Sequence, residues 1–145
     1  MQIVLDSNIL FSALIKDSNV RKIILEYDGK FLFPSYIFDE IDEHKSELIS
    51  KSGLNSDEFK ELLQIILKKV KVVPANILNN YKNEAFKITE EIDLDDSLFI
   101  ACALAFSNSI ILSNDKKLKK QTRIKVFNTL EIIDLLKIDF DKKDY

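Results

Sequence analysis

Short apolar runs that alternate with helical segments are the feature that most constrains the fold of this 145-residue chain. A chain with this alternation typically forms a parallel sheet with helices on both faces. We therefore predict an α/β fold in which the crossover connections are right-handed. In such open sheets, ligands bind beyond the carboxyl ends of the strands, so residues that directly follow a strand are the first candidates for a site. The predicted strands cover residues 2–5, 31–33, 70–73, 110–112 and 124–127.

The helical segments are predicted from apolar residues at three- and four-residue spacing and from residues that can cap a helix. Ser35 can cap a helix that ends near Ser50, and Asn55 or Ser56 can cap the next helix. The segment 97–106 is apolar on every face, which predicts a buried helix. The predicted helices cover residues 9–15, 20–27, 35–50, 56–69, 76–91, 95–106 and 129–137, with a short helix between the last two strands.

Length and composition predict one domain over residues 1–138, followed by a polar tail over residues 139–145. The two glycines do not form a glycine-rich phosphate loop, and one Cys with one His excludes a zinc site built from these residues. A bound metal ion would therefore be held by carboxylates, which favours a hard cation such as Mg²⁺ or Mn²⁺. We also predict a cytoplasmic protein, because the N-terminus lacks a signal-peptide pattern and the longest apolar run is about half a membrane span.

Acidic residues occur where a parallel sheet would bind a ligand. Asp6 directly follows the first predicted strand, and Asp115 follows the fourth after two residues. Asp95 and Asp96 precede the apolar helix, and Glu40 lies on the helix after the second strand. Each acid alone has an ordinary explanation, as a helix cap or a solvated side chain. Their coincidence at one edge favours a cation site, because crowded carboxylates raise one another's pKa unless a cation neutralises them.

Four motifs follow one another along the chain, at residues 5–10, 34–41, 96–104 and 111–118. Together they make the chain resemble the PIN-domain nucleases, particularly the small stand-alone kind that includes VapC-type toxins. The resemblance implies a Rossmann-like three-layer α/β/α sandwich and metal-dependent hydrolysis of single-stranded RNA with Mg²⁺ or Mn²⁺. It implies that Asp6, Glu40, Asp96 and Asp115 are the catalytic residues and the metal ligands.

Other positions are predicted to support these acids. Ser7, Asn8 and Ser113 are expected to orient the ligands by hydrogen bonds. Asp95 is expected to do the same, and it is also the alternative to Asp96 as a ligand. In the same way, Glu43 is the alternative to Glu40 as a ligand. Residues Lys116, Lys117, Lys119 and Lys120, with Arg123 and Lys125 nearby, are expected to contact the RNA backbone, or else to form a solvated amphipathic turn.

Three residues keep two interpretations at this point. His44 follows Glu40 by one helical turn and is either a substrate contact or a surface residue of the helix. Phe11 and Tyr36 are either aromatic residues that stack on RNA bases or members of the core.

The resemblance also implies a possible antitoxin partner and a homodimer. A toxin and an RNA-processing enzyme are both compatible with the motifs, as are one metal ion and two. The alternative function is a non-catalytic module that binds RNA or protein, but such a module has no need for four clustered acids. A dehalogenase-like phosphatase is disfavoured, because its nucleophile pattern needs an acid where Asn8 stands.

Overall fold

A computed structural model of the chain describes residues 1–137. Within them, five strands form one sheet in the order β3-β2-β1-β4-β5, and every neighbouring pair is parallel. The predicted parallel sheet is thus confirmed. The strands are β1 Gln2–Leu5, β2 Phe31–Pro34, β3 Val70–Val73, β4 Ser109–Leu112 and β5 Val126–Phe127.

Helices flank this central sheet and give the predicted three-layer α/β/α fold. The helix with no polar face packs against β1, β2 and β4, as its apolar composition requires. The helices are α1 Ser7–Ile15, α2 Asn19–Glu26, α3 Ile37–Ser52, α4 Ser56–Leu67, α5 Ala75–Leu78, α6 Lys82–Thr89, α7 Ser97–Ala105 and α8 Thr129–Leu136.

Two helix starts show how caps set the boundaries. Asn55 caps α4 in a capping box: its side chain accepts from the Glu58 N–H at 2.8 Å, and the Glu58 carboxylate accepts from the Asn55 N–H at 3.1 Å. The predicted cap at Ser35 is wrong, since α3 starts after Tyr36, which makes no capping side-chain hydrogen bond within residues 1–137. Gly53 ends α3 at a φ of 71°, a left-handed conformation that glycine adopts at little cost.

Two predicted helices are also divided. The segment 76–91 forms α5, a 3₁₀ turn over Asn79–Tyr81, and then α6, because adjacent asparagines favour turns over a continuous helix. The helix predicted from Asp95 is a 3₁₀ turn over Leu94–Asp96 followed by α7. The predicted polar tail, residues 139–145, lies outside the described residues. None of the helices in residues 1–137 combines the length and apolar character that a membrane crossing requires.

Candidate active site

A cavity of about 430 Å³ opens at the carboxyl edge of the sheet, beyond β1. All four acids predicted as ligands contribute to its wall. Ser7 and Asn8 line it as well, so six of the predicted residues line one cavity. The residues that line the cavity are Asp6, Ser7, Asn8, Tyr36, Glu40, Asp93, Asp96, Leu98, Phe99 and Asp115.

Asp6 is a buried residue of this wall and lies where β1 ends and α1 begins. Its side chain is only 5% exposed. One carboxylate oxygen accepts a hydrogen bond from the Ile9 N–H at 2.9 Å and caps α1, and the other accepts one from the Ser113 hydroxyl. The ordinary role of helix cap and a place in the cavity wall therefore coexist in one residue.

Ser113 connects the two strand ends that carry Asp6 and Asp115. Its buried hydroxyl donates to Asp6 and accepts a hydrogen bond from the Asp115 N–H at 3.1 Å. The side chain of Asp115 in turn accepts from the Lys117 N–H at 2.9 Å, where a 3₁₀ helix over Lys116–Lys120 begins. One hydroxyl thus fixes the relative position of both acids.

Burial raises the pKa of Asp6 above its usual value, and the nearby charge of Asp115 raises it further. The hydrogen bonds from Ser113 and from the Ile9 N–H act in the opposite direction and lower the pKa. Burial is the larger effect, so without a cation the Asp6 carboxyl is harder to ionise than an exposed one. A cation at this place would favour the ionised carboxylate.

The other acids reach the cavity from different elements. Asp96 ends the 3₁₀ turn before α7, and its side chain makes no capping hydrogen bond to that helix among the described residues. Glu40 lies in the first turn of α3. Asp93 also lines the cavity and was missed by sequence reasoning, because it lies in the connection between two predicted helices. Glu43 is exposed and is not part of the wall.

A family model that is described as the PIN domain matches residues 4–132 of the chain. The chain belongs to the PIN domain family. The resemblance predicted from the four motifs is therefore confirmed, and it places the chain in a family of nucleases that generally use divalent metal ions.

A solved structure supports the fold of this PIN domain. It is a crystal structure of VapBC2 from Rickettsia felis bound to a DNA fragment from their promoter. The likeness has a TM-score of 0.64 at 20% sequence identity, and it covers 88% of this chain and 98% of the other. At that identity the likeness is one of fold. No curated protein matches the sequence.

The donor atoms in the wall of the PIN domain cavity fit a hard divalent cation. Five carboxylates, an amide and two hydroxyl groups supply oxygen donors, and no Lys, Arg or His is among the described residues that line it. Within residues 1–137, the acids surround the cavity and do not meet as a preformed group of three ligands. The wall therefore has the right chemistry, while the side chains lie apart. The side chain of Asp95 lies outside the described part of the structure.

Tyr36 is a polar residue of the wall whose role, in the core or in RNA binding, the sequence left undecided. Its hydroxyl lies 3.3 Å from the Ser7 hydroxyl, and its ring packs against Phe33 and Phe99. Burial raises the pKa of Tyr36, so the hydroxyl keeps its proton. Tyr36 thus belongs partly to the core and places a polar group at the cavity.

The predicted basic residues lie next to Asp115 along the chain. Lys116, Lys117 and Lys120 are exposed on the 3₁₀ helix. Lys119 forms an ion pair with Glu131 of α8. Arg123 forms another with Glu84 of α6 at 3.0 Å. Two of the cations in this region are therefore already paired, which leaves the exposed lysines of the 3₁₀ helix as the stronger candidates for contacts with phosphates.

Proposed function

We propose that this PIN domain is a metal-dependent endoribonuclease that hydrolyses phosphodiester bonds of single-stranded RNA. The observation that carries the proposal is the common cavity of Asp6, Glu40, Asp96 and Asp115 at the carboxyl edge of the sheet. Acids repel a nucleic acid, so four of them around one cavity have a chemical purpose mainly if a cation offsets their charge. The family supplies the same expectation, since PIN domains are nucleases.

In this proposal, Asp6 and Asp96 are the main ligands of Mg²⁺ or Mn²⁺, and Glu40 and Asp115 complete the site directly or through water. When bound, a divalent cation lowers the pKa of water and neutralises charge on the phosphoryl oxygens. Ser113 holds the Asp6 carboxylate in place and favours its ionised form, as its hydrogen bond lowers the pKa. Ser7 and Asn8 orient the ligands from the same wall, and Asp95 stays a predicted support. No side-chain nucleophile is required.

The basic 3₁₀ helix is the proposed contact for the RNA backbone. Its lysines follow Asp115 directly, so they lie where an RNA strand that reaches the acids would need cations to bind its phosphates. The proposed contacts are Lys116, Lys117 and Lys120, with a smaller part for Lys119 because of its ion pair with Glu131.

We further propose that the protein is the toxin of a type II toxin–antitoxin pair. The similar structure is that of VapBC2, and the motifs resemble those of VapC-type toxins. This proposal implies an antitoxin protein as partner, a homodimer and a cytoplasmic location. Inspection of the neighbouring gene tests it, because an antitoxin would be encoded there as a small protein that blocks cleavage.

Cleavage of a labelled single-stranded RNA in Mg²⁺, in Mn²⁺ and in EDTA tests the nuclease. We expect activity only with the metals, and we expect Asp6→Asn and Asp96→Asn each to lose at least about 100-fold. Asp42→Asn is the matched control, since Asp42 is exposed on α3 outside the cavity wall. Circular dichroism confirms that each variant is folded.

Cleavage that persists in both cavity variants would disprove the assigned site. RNA binding or partner binding by a wild-type protein that never cleaves would favour the alternative, a non-catalytic binding module.

A further inference from the structure

A second groove of about 570 Å³ lies beside the acidic cavity. The two spaces share Ser7, Asn8 and Glu40 as a common wall. The groove lies between α1 and α3, which pack against each other. A ligand that reaches the acids can therefore extend directly into this groove.

The groove follows two helices away from the acids. On α1 the lining residues include the series Ser7, Phe11 and Ile15, and on α3 they include Glu40 and His44. Within each series the residues are four apart, so each step moves along the helix by about 6 Å. The lining changes from acidic at the shared wall to aromatic one turn further.

An aromatic pair forms the middle of the groove. The rings of Phe11 and His44 lie 5.6 Å apart with an interplanar angle of 62°. Phe11 is half-buried and packs against the hydrophobic core, which fixes its ring. The His44 side chain is 40% exposed, so one ring is held by the core and the other faces the open groove.

We propose that this groove is the subsite for one unpaired nucleobase of the RNA substrate, with Phe11 and His44 as its stacking residues. The inference rests on the proposed function, because it places the base beside the bond that the acidic cavity cleaves. Bases of single strands stack on aromatic side chains in this way, whereas a base inside a duplex cannot enter.

The charges of the groove agree with a base as the occupant. A nucleobase is neutral, so the carboxylates of Glu40 and Glu47 in the lining do not repel it as they would repel a phosphate. Lys51, one turn beyond Glu47, lies 2.7 Å from its carboxylate and offsets that charge at the far end of the groove. The phosphates can thus stay outside while the base fills the apolar middle.

Steady-state cleavage of a short single-stranded RNA tests the subsite. We expect Phe11→Leu and His44→Ala to raise KM about fivefold to tenfold, with a much smaller change in kcat, because they remove stacking and leave the acids intact. Phe11→Leu keeps apolar volume in a half-buried position, so the fold is retained. His44→Phe should restore a KM close to that of the wild type, since a ring is present again. Phe86→Leu is the matched control, because Phe86 is exposed on α6 outside both cavities.

An RNA with an abasic position next to the cleaved bond gives the second readout. The wild type should bind this RNA more weakly than the intact one, and Phe11→Leu should lose that difference, since each change removes the same contact. The subsite would be overturned if the active variants Phe11→Leu and His44→Ala kept the KM of the wild type and Phe11→Leu still bound the abasic RNA more weakly than the intact RNA. A groove that serves a protein partner would give that same result.

Failure of the nuclease is distinguishable from failure of the subsite. If the wild type does not cleave, fluorescence anisotropy of a labelled single-stranded RNA in EDTA measures affinity without any reaction. Weaker binding by Phe11→Leu and His44→Ala than by Phe86→Leu would support the subsite although the nuclease fails. Equal affinity of all four proteins, or no binding at all, would overturn it.

Discussion

Asp6 links the stability of the protein to the chemistry of its cavity. Its carboxylate caps α1, contacts Ser113 and lines the wall of the acidic cavity. In the native state its pKa lies above the ordinary value of 3.8, chiefly because the side chain is buried. The native state therefore binds a proton at this position more tightly than the unfolded chain does.

The stability of the metal-free protein should therefore depend on pH through the protonation of Asp6. The contribution of Asp6 to stability is fully present below the unfolded pKa and is lost as pH rises through the native pKa. Asp6→Asn has no titrating group there and still caps α1, because Asn caps a helix as well as Asp does. We expect the free energy of unfolding of Asp6→Asn, relative to wild type, to increase with pH above 3.8. Urea titrations in EDTA at several pH values measure this difference.

The control for this experiment is Asp42→Asn, which makes the same substitution at an exposed position of α3. Its stability relative to wild type should change much less with pH. A variant at position 6 whose relative stability falls as pH rises would contradict the raised pKa of Asp6.

At the scale of elements, the sequence predicts the strands more reliably than the helix ends. The central strands β1, β2 and β4 are short and mostly apolar, and burial on both faces of a parallel sheet requires that pattern. The end of a helix depends on which of several neighbouring residues takes the cap position. The cap at Asn55 could be predicted, whereas α3 has Tyr36 at its cap position in place of the predicted Ser35. The division at Asn79–Tyr81 follows from the adjacent asparagines, which favour turns and which the periodicity of the apolar residues does not show.

In the candidate site, too, some residues could be predicted from the sequence and others could not. Asp6 and Asp115 could be predicted because each follows a strand, and strand ends share one edge of the sheet. Asp93 lies in a connection, and its place in the wall depends on how that connection bends. The roles of Tyr36 and His44 could not be assigned from the sequence. A Tyr at the start of a helix, or a His on a helix face, is compatible both with the core or surface and with the site.

The 3₁₀ helix after β4 carries its own prediction. If Lys116 and Lys120 contact phosphates, the variant with both changed to Gln should bind single-stranded RNA with a weaker salt dependence. Each lost contact reduces the slope of log affinity against log salt concentration by about 0.7, so the slope should fall by about 1.4. Anisotropy titrations between low and moderate salt give the slope directly.

Lys60→Gln is the comparison for this slope, because Lys60 is exposed on α4 and lines neither cavity. It should keep the slope of the wild type. An unchanged slope in the double variant would show that the 3₁₀ helix is a solvated turn without a role in binding.

At the scale of the whole molecule, the cavity exists only in the folded chain. Asp6 and Ser113 are 107 residues apart in sequence, and the acids come from the ends of two strands, from α3 and from the connection before α7. The unfolded chain holds these carboxylates far apart. A cation that binds the cavity must therefore favour the native state over the unfolded state.

This coupling gives a prediction about metal addition and removal that needs no RNA. A ligand that binds only the native state stabilises it by about 2.7 kcal/mol when its concentration is 100 times Kd. We therefore expect Mg²⁺ or Mn²⁺ to raise the Tm of the wild type in a concentration-dependent way, and excess EDTA to reverse the rise. Asp6→Asn should start from a more stable metal-free state at neutral pH, since burial raises the pKa of the acid it replaces, and should gain much less from the metals. Asp42→Asn should respond like the wild type. Equal stabilisation of all three proteins would mean that the cations bind elsewhere on the acidic surface, and the four acids would then need another explanation.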